Sequence, residues 1–194
     1  KTRKNLEGRG FRVHRFASGA EAAEFLVQTL HGTSIGIGGS VTIDTLGVYD
    51  RLCGSNEVFW HWKNYAPETR ERAGKAETYL CSANGVSENG EIVNIDGFGN
   101  RVAGTIYGPE RVFLVVGRNK IAPDLTGAID RARNIAAPLN ARRLNRHTPC
   151  AVGEPRCHDC RSPEKVCGVM TVFFMPPTSI KEFHVILVDE DLGY

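Results

Sequence analysis

The 194-residue chain reads as an α/β protein: a mainly parallel sheet flanked by helices. Three observations predict this. Strand-like and helix-like segments alternate over most of the length. The run Val112–Val116 (VFLVV) is apolar without a break, as in a central parallel strand covered on both faces. Polar and glycine-containing stretches follow several strand ends, as they do where α/β proteins gather a site at the carboxyl edge of the sheet.

Taken in order, residues 2–8 resemble a helix closed by Gly8 or Gly10, and Phe11–Phe16 alternates like a strand. Ser18 caps a helix reaching about Leu30, with Glu21 three residues on as in a capping box. Thr33–Asp50 (TSIGIGGSVTIDTLGVYD) is the anchor of the chain: a short strand, a glycine turn and a helix start. Glycine lets backbone approach a ligand closely, and the open N–H groups of a first helical turn favour an anion. Gly38, Gly39, Ser40 and Thr42 are therefore candidate contacts for a phosphate or carboxylate, the plainer reading being glycine used for turn geometry alone.

Asn56–Trp62 (NEVFWHW) covers a core edge or sets His61 and the Trp60/Trp62 pair over a ligand pocket. Pro67–Ala76 is a charged, solvated helix. Thr78–Ser82 and Glu91–Ile95 are strands, expected as a hairpin or adjacent pair. In Asn94–Gly104 (NIDGFGNRVAG), Asp96 is a candidate general base, with Asn94 and Gly97 as ligand contacts; the plainer reading is an Asx turn, which Asp-Gly forms readily. A helix follows over Arg101–Tyr107. Lys120, in the polar segment after VFLVV, is a candidate catalytic cation. Pro123 and Asp124 open helical sequence to about Leu144, whose arginines, with Arg146, form a solvated face or meet a negative charge.

Cys150, Cys157, Cys160 and Cys167 are spaced C-x6-C-x2-C-x6-C, beside His147 and His158. Two thiolates in C-x2-C reach one metal, and four can close a zinc site or hold an iron–sulfur cluster. Two disulfides or free thiols are the alternatives. Val169–Met175 and Phe183–Val188 are the last strands. The expected organisation is one α/β domain over 1–146, a cysteine-rich segment over 147–168, and strands in 169–194 completing the same domain.

Charge and composition exclude several classes. A net charge of +2 and no basic tail argue against a nucleic-acid partner. No run of about 18 apolar residues suggests a membrane span. Gly36, Gly38 and Gly39 do not complete a dinucleotide fingerprint, so no NAD or flavin site is evident. The chain starts at Lys1 without methionine, so natural N-terminal residues are expected to be missing. The expected compartment is the cytoplasm, and a homo-oligomer is compatible with the sequence.

IGIGGSVTIDTLGVYD, NEVFWHW, SANGVSENGEIVNIDGFGNRVAG, VVGRNKI and RARNIAAPLNARRLN together resemble the LUD-domain (lactate utilisation) family over nearly the whole chain. The resemblance implies a fold similar to the glucosamine-6-phosphate deaminase, ribose-5-phosphate isomerase and CoA-transferase group. In that group a glycine turn, here Gly38, Gly39, Ser40 and Thr42, cradles the anionic end of the ligand. It also implies a subunit or accessory of lactate or 2-hydroxy-acid oxidation to pyruvate, beside iron–sulfur oxidoreductase partners. A stand-alone enzyme or binding module for a small phosphorylated or carboxylated metabolite is the alternative.

Overall fold

The computed structural model describes residues 1–194. The chain runs α1 (Thr2–Gly8), β1 (Arg12–Phe16), α2 (Gly19–Thr29), β2 (Ser34–Ile37), α3 (Val41–Leu46), α4 (Tyr49–Cys53), β3 (Glu57–Trp60), α5 (Thr69–Lys75), β4 (Thr78–Ser82), β5 (Gly85–Ser87), β6 (Ile92–Asp96), α6 (Asn100–Ile106) and β7 (Arg111–Gly117). A 3-10 turn (Arg118–Lys120) leads to β8 (Ile121–Ala122) and α7 (Leu125–Arg131). A π-turn over Ala132–Ala136 joins α7 to α8 (Ala137–Arg143), and α9 (Pro149–Val152), β9 (Val169–Phe173) and β10 (Glu182–Val188) follow.

The α/β architecture is as expected. Six strands form an all-parallel sheet in the order β1-β10-β7-β4-β2-β3. In β7, Val112, Leu114 and Val116 enter one core while Phe113 and Val115 enter the other, so the unbroken apolar run is two alternating sets facing two helical layers. α2 packs on the second face through Ala22, Ala23 and Leu26; its start is fixed by Ser18, whose hydroxyl accepts the Glu21 N–H at 3.2 Å. Gly36 in β2 is a packing glycine rather than a turning one: a Cβ there would lie 2.0 Å from the Ala73 carbonyl oxygen of α5.

A smaller sheet, β8-β5-β6-β9, stands beside the large one. It corrects the expected pairing of Thr78–Ser82 with Glu91–Ile95. β4 lies inside the large sheet between β2 and β7, and the hairpin is instead β5–β6, with Gly85 opposite Val93. The reason is the short strand β5, which takes the chain out of the large sheet before it turns back at Gly90, where φ is +94°. The α7–π–α8 helix covers the small sheet through Ala128, Ala132 and Ala137. No helix is long and apolar enough to cross a membrane.

Candidate functional site

Strand order reverses between β2 and β4: the chain moves outward from β2 to β3, then returns to the other side of β2. Loops leaving such neighbours diverge and open a crevice at the carboxyl edge. A cavity of about 960 Å³ lies there. Its walls come from the segments after β2 (Gly39, Ser40, Thr42), β3 (His61, Trp62), β4 (Ser82, Asn84) and β7 (Lys120), and from Asp96, Gly97 and Arg101 at the end of β6 and the start of α6. α8 contributes Asn140 and Arg143, and Pro163–Val166 closes another side.

Lys120 is the most unusual of these groups. It is 2% exposed, yet lines the cavity. Its Nζ donates to Thr42 Oγ1 and to Ser82 Oγ, both at 2.8 Å. Each hydroxyl donates its own proton onward, Ser82 to the Val115 carbonyl at 2.6 Å and Thr42 to the Leu192 carbonyl at 3.2 Å. No carboxylate faces the amine. Burial first, and then the Arg131 and Arg101 charges, push its pKa down to about 7. Lys120 thus exchanges its proton near neutrality, where an ordinary lysine stays charged.

Arg101 is locked in the wall. Its Nη1 donates to Asn94 Oδ1 at 2.7 Å and the Ser82 carbonyl at 3.3 Å, and its Nη2 donates to Asn84 Oδ1 at 2.9 Å and to the Ile95 carbonyl. Asn94 is fully buried and does not line the cavity; it positions Arg101 instead of meeting a ligand. Gly38 also stays behind the wall, making room for this arginine: a Cβ there would come within 2.9 Å of Arg101 Cγ and 3.0 Å of the Tyr79 hydroxyl. Gly39 faces the cavity under the Trp62 ring.

Asp96 borders the cavity, but both of its oxygens are engaged. Oδ1 accepts the Phe98 N–H at 3.2 Å, and Oδ2 accepts those of Arg101 and Val102 at 3.0 and 3.2 Å. It forms the Asx turn and anchors the first turn of α6, and so holds Arg101 in place. Ser40 is likewise occupied, accepting the Ile43 N–H at 3.2 Å. His61 lies in the wall with its Nδ1 buried and without a partner, and burial, then the Arg70 charge, lowers its pKa. Gly97 borders the cavity and packs under the backbone of Val166, to which a Cβ would approach within 2.7 Å.

The lining is cationic. Lys63, Arg70, Arg101, Lys120, Arg143, Arg146 and Lys165 face three acids, Asp44, Asp96 and Glu164. Asp44 pairs with Lys63 at 3.2 Å and Glu164 with His147, so positive charge stays in excess along the lining. The Arg143 guanidinium stacks 4.5 Å over Trp62 and donates to the Tyr194 hydroxyl at 2.8 Å. The arrangement suits an anionic molecule reaching toward a proton-exchanging amine.

Sequence reading did not single out Ser82, Asn84, Arg101 or Tyr194 as site residues, and took Arg143 only as part of a basic patch. Ser82 carried a usable signal, a hydroxyl at the carboxyl end of a buried strand. Arg101, Asn84 and Tyr194 carried none, since their roles depend on contacts across the fold.

The four cysteines are half-buried free thiols in the segment that forms the Pro163–Val166 wall. Cys157 Sγ accepts from Arg133 Nη2 at 3.3 Å and the Asp159 N–H at 3.4 Å, and Thr148 Oγ1 lies 3.3 Å from Cys150 Sγ. Burial raises the Cys167 pKa, and Cys157, Cys150 and Cys160 are near enough to add to the effect. No three His, Cys, Asp or Glu side chains gather as a metal site. The sulfurs of Cys150, Cys157 and Cys160 share the neighbourhood of Cys167.

A crystal structure of a DUF162 family protein from Deinococcus radiodurans has a similar fold, with a TM-score of 0.56 and 14% identity over 96% of this chain and 93% of that one. No curated protein matches the chain in sequence. The model of the LUD domain family matches residues 1–188, nearly the whole α/β fold and every wall of the cavity except Tyr194; the chain belongs to the LUD-domain family.

Proposed function

We propose that this LUD-domain protein is an enzyme of small anionic metabolites, with a general role related to lactate utilisation, and that its chemistry takes place at Lys120. The observation that carries this reading is a carboxylate-free lysine, with its pKa pushed down to about 7, lining a cationic cavity at the sheet's switch point. Perturbed groups of this kind are arranged where proton transfer is needed. Arg143 and Arg146 supply charge for a carboxylate or phosphate, and Trp62 supplies an apolar wall. Asp96, engaged by three backbone N–H groups, acts as a positioning residue.

The test is calorimetric titration with lactate, pyruvate and a sugar phosphate, on the wild type and on Arg143→Ala. Binding of at least one anion, weakened about tenfold or more by the substitution, is expected. Equal affinity in both proteins, or binding of none of them, would remove the cavity as an anion site.

A second reading places the chain as a subunit or accessory of 2-hydroxy-acid oxidation to pyruvate, beside iron–sulfur partners. Its support is the family and the four half-buried free thiols on one wall of the cavity. Iron and sulfide analysis of protein purified without oxygen tests it; protein lacking both would leave this reading without an electron carrier of its own.

A further inference from the structure

We infer that Lys120 is a covalent amine nucleophile, which forms an imine with the carbonyl carbon of an anionic aldehyde or ketone bound in the cavity; this rests on the anion-site reading above. The hydrogen-bond inventory at the nitrogen carries the argument. A neutral amine has two N–H donors and one lone pair. The two donors are taken by Thr42 Oγ1 and Ser82 Oγ. Both hydroxyl protons are already given to backbone carbonyls, those of Leu192 and Val115, so neither hydroxyl can donate back to the nitrogen and mask its lone pair. The lone pair is the one valence of the amine left without a partner, and Lys120 borders the cavity.

The groups packed around it favour the same outcome. Lys120 makes no ion pair, and the charges near it, Arg131 and Arg101, are both cationic. Each is tied to oxygen acceptors of its own, Arg131 to the Asn119 and Asn84 carbonyls at 2.7 and 2.5 Å. These fixed positive charges oppose protonation of the amine and would attract the anionic end of a substrate.

The step balances without any further reactant. The nitrogen lone pair forms the C–N bond while the carbonyl π pair moves to oxygen, giving a carbinolamine. The oxygen then leaves as water, carrying the two hydrogens that the free amine brought. A proton from solvent converts the imine to an iminium, whose single N–H still has Thr42 or Ser82 to donate to. The iminium is an electron sink for proton removal or bond cleavage at the adjacent carbon.

The source of the carbonyl is open between a 2-oxo acid and a phosphorylated ketose or aldehyde, and the experiment separates them. The protein is incubated at pH 7 with sodium cyanoborohydride and either pyruvate or dihydroxyacetone phosphate, then analysed by intact mass and peptide mapping. Its lowered pKa leaves far more of the Lys120 side chains uncharged at that pH than the roughly one in a thousand or fewer of an ordinary lysine. One adduct per chain is expected, at Lys120, at least tenfold above any other lysine, and absent in Lys120→Met. The more reactive carbonyl identifies the class. Calorimetry with the same two compounds, without reductant, is run in parallel. Binding without labelling at Lys120 would overturn the imine while leaving the anion site standing; neither binding nor labelling would overturn both.

Discussion

Lys120 and Thr42 lie 78 positions apart in the chain, yet the amine of one donates to the hydroxyl of the other at 2.8 Å. The bond ties the segment after β7 to the first turn of α3, across the point where strand order reverses. Ser82, at the end of β4, completes the bridge from the other side.

Lys120→Met is expected to stabilise the fold at pH 7 while abolishing its chemistry. The folded-state pKa is lowered, so the unfolded chain binds more protons between about pH 7 and 10.4, and wild-type stability rises with pH over that window. Below pH 7 the cost of the buried amine is fully present; it fades toward pH 10. The lowered pKa corresponds to roughly 4–5 kcal/mol at pH 7. Less the two hydrogen bonds that methionine cannot make, about 1 kcal/mol each, a net gain on the order of 2 kcal/mol, or roughly 4–8 °C in Tm, is expected, shrinking at pH 10. Thermal melts of both proteins across this range check it.

Arg101→Met should destabilise strongly. The substitution strips donors from four acceptors at once: the Asn94 and Asn84 side chains and the Ser82 and Ile95 carbonyls. A loss of about 3 kcal/mol or more is expected in urea unfolding, since a buried polar group left without a partner carries its full desolvation cost.

Two glycines should respond oppositely to alanine. At Gly36 a Cβ meets the Ala73 backbone at 2.0 Å, and α5 would have to move off the sheet, costing about 3 kcal/mol. Gly74, inside α5, has nothing within 4 Å of a new Cβ, and alanine there should add roughly 0.5–1 kcal/mol through helix propensity. Chemical denaturation of the pair separates packing from backbone effects.

Acid should loosen the edge of the sheet at β1 and β10. His14 Nε2 and His184 Nδ1 sit 3.0 Å apart, and His184 stacks on Phe113 at 4.2 Å. Burial lowers both pKa values, so the folded state prefers the neutral rings. Their contribution is fully present above the unfolded value of about 6.5 and is lost as pH falls below it. His184→Gln should flatten the decline in Tm between about pH 6.5 and 5.

The fold was legible where one physical demand dominates the sequence. A strand between two helical layers must be apolar at every position, and Val112–Val116 is. A helix needs its first N–H groups satisfied, and Ser18 announces it. The site was legible as a region but not as a mechanism. Lys120, Thr42 and His61 stood out by type and place, whereas the burial of Lys120 and its two hydroxyl partners come from segments 38 and 78 residues away. Gly38 was read as a ligand cradle because a glycine after a strand looks the same whether it clears space for a phosphate or for Arg101 and Tyr79. The β5–β6 hairpin was hidden because three residues of strand leave almost no periodicity. Cysteine spacing likewise fixes which thiols are neighbours in the chain and leaves open whether their sulfurs converge.

The Trp60–Trp62 stack gives the molecule an optical voice. Only these two tryptophans are present. Their ring centroids are 5.6 Å apart; Trp60 is buried against the core and Trp62 forms part of the cavity wall, capped by Arg143. A guest that draws the guanidinium away changes the polarity over one indole while the other keeps its surroundings. Emission from the unlabelled chain is therefore a built-in gauge of occupancy, against which unknown metabolites can be screened before any reaction is known.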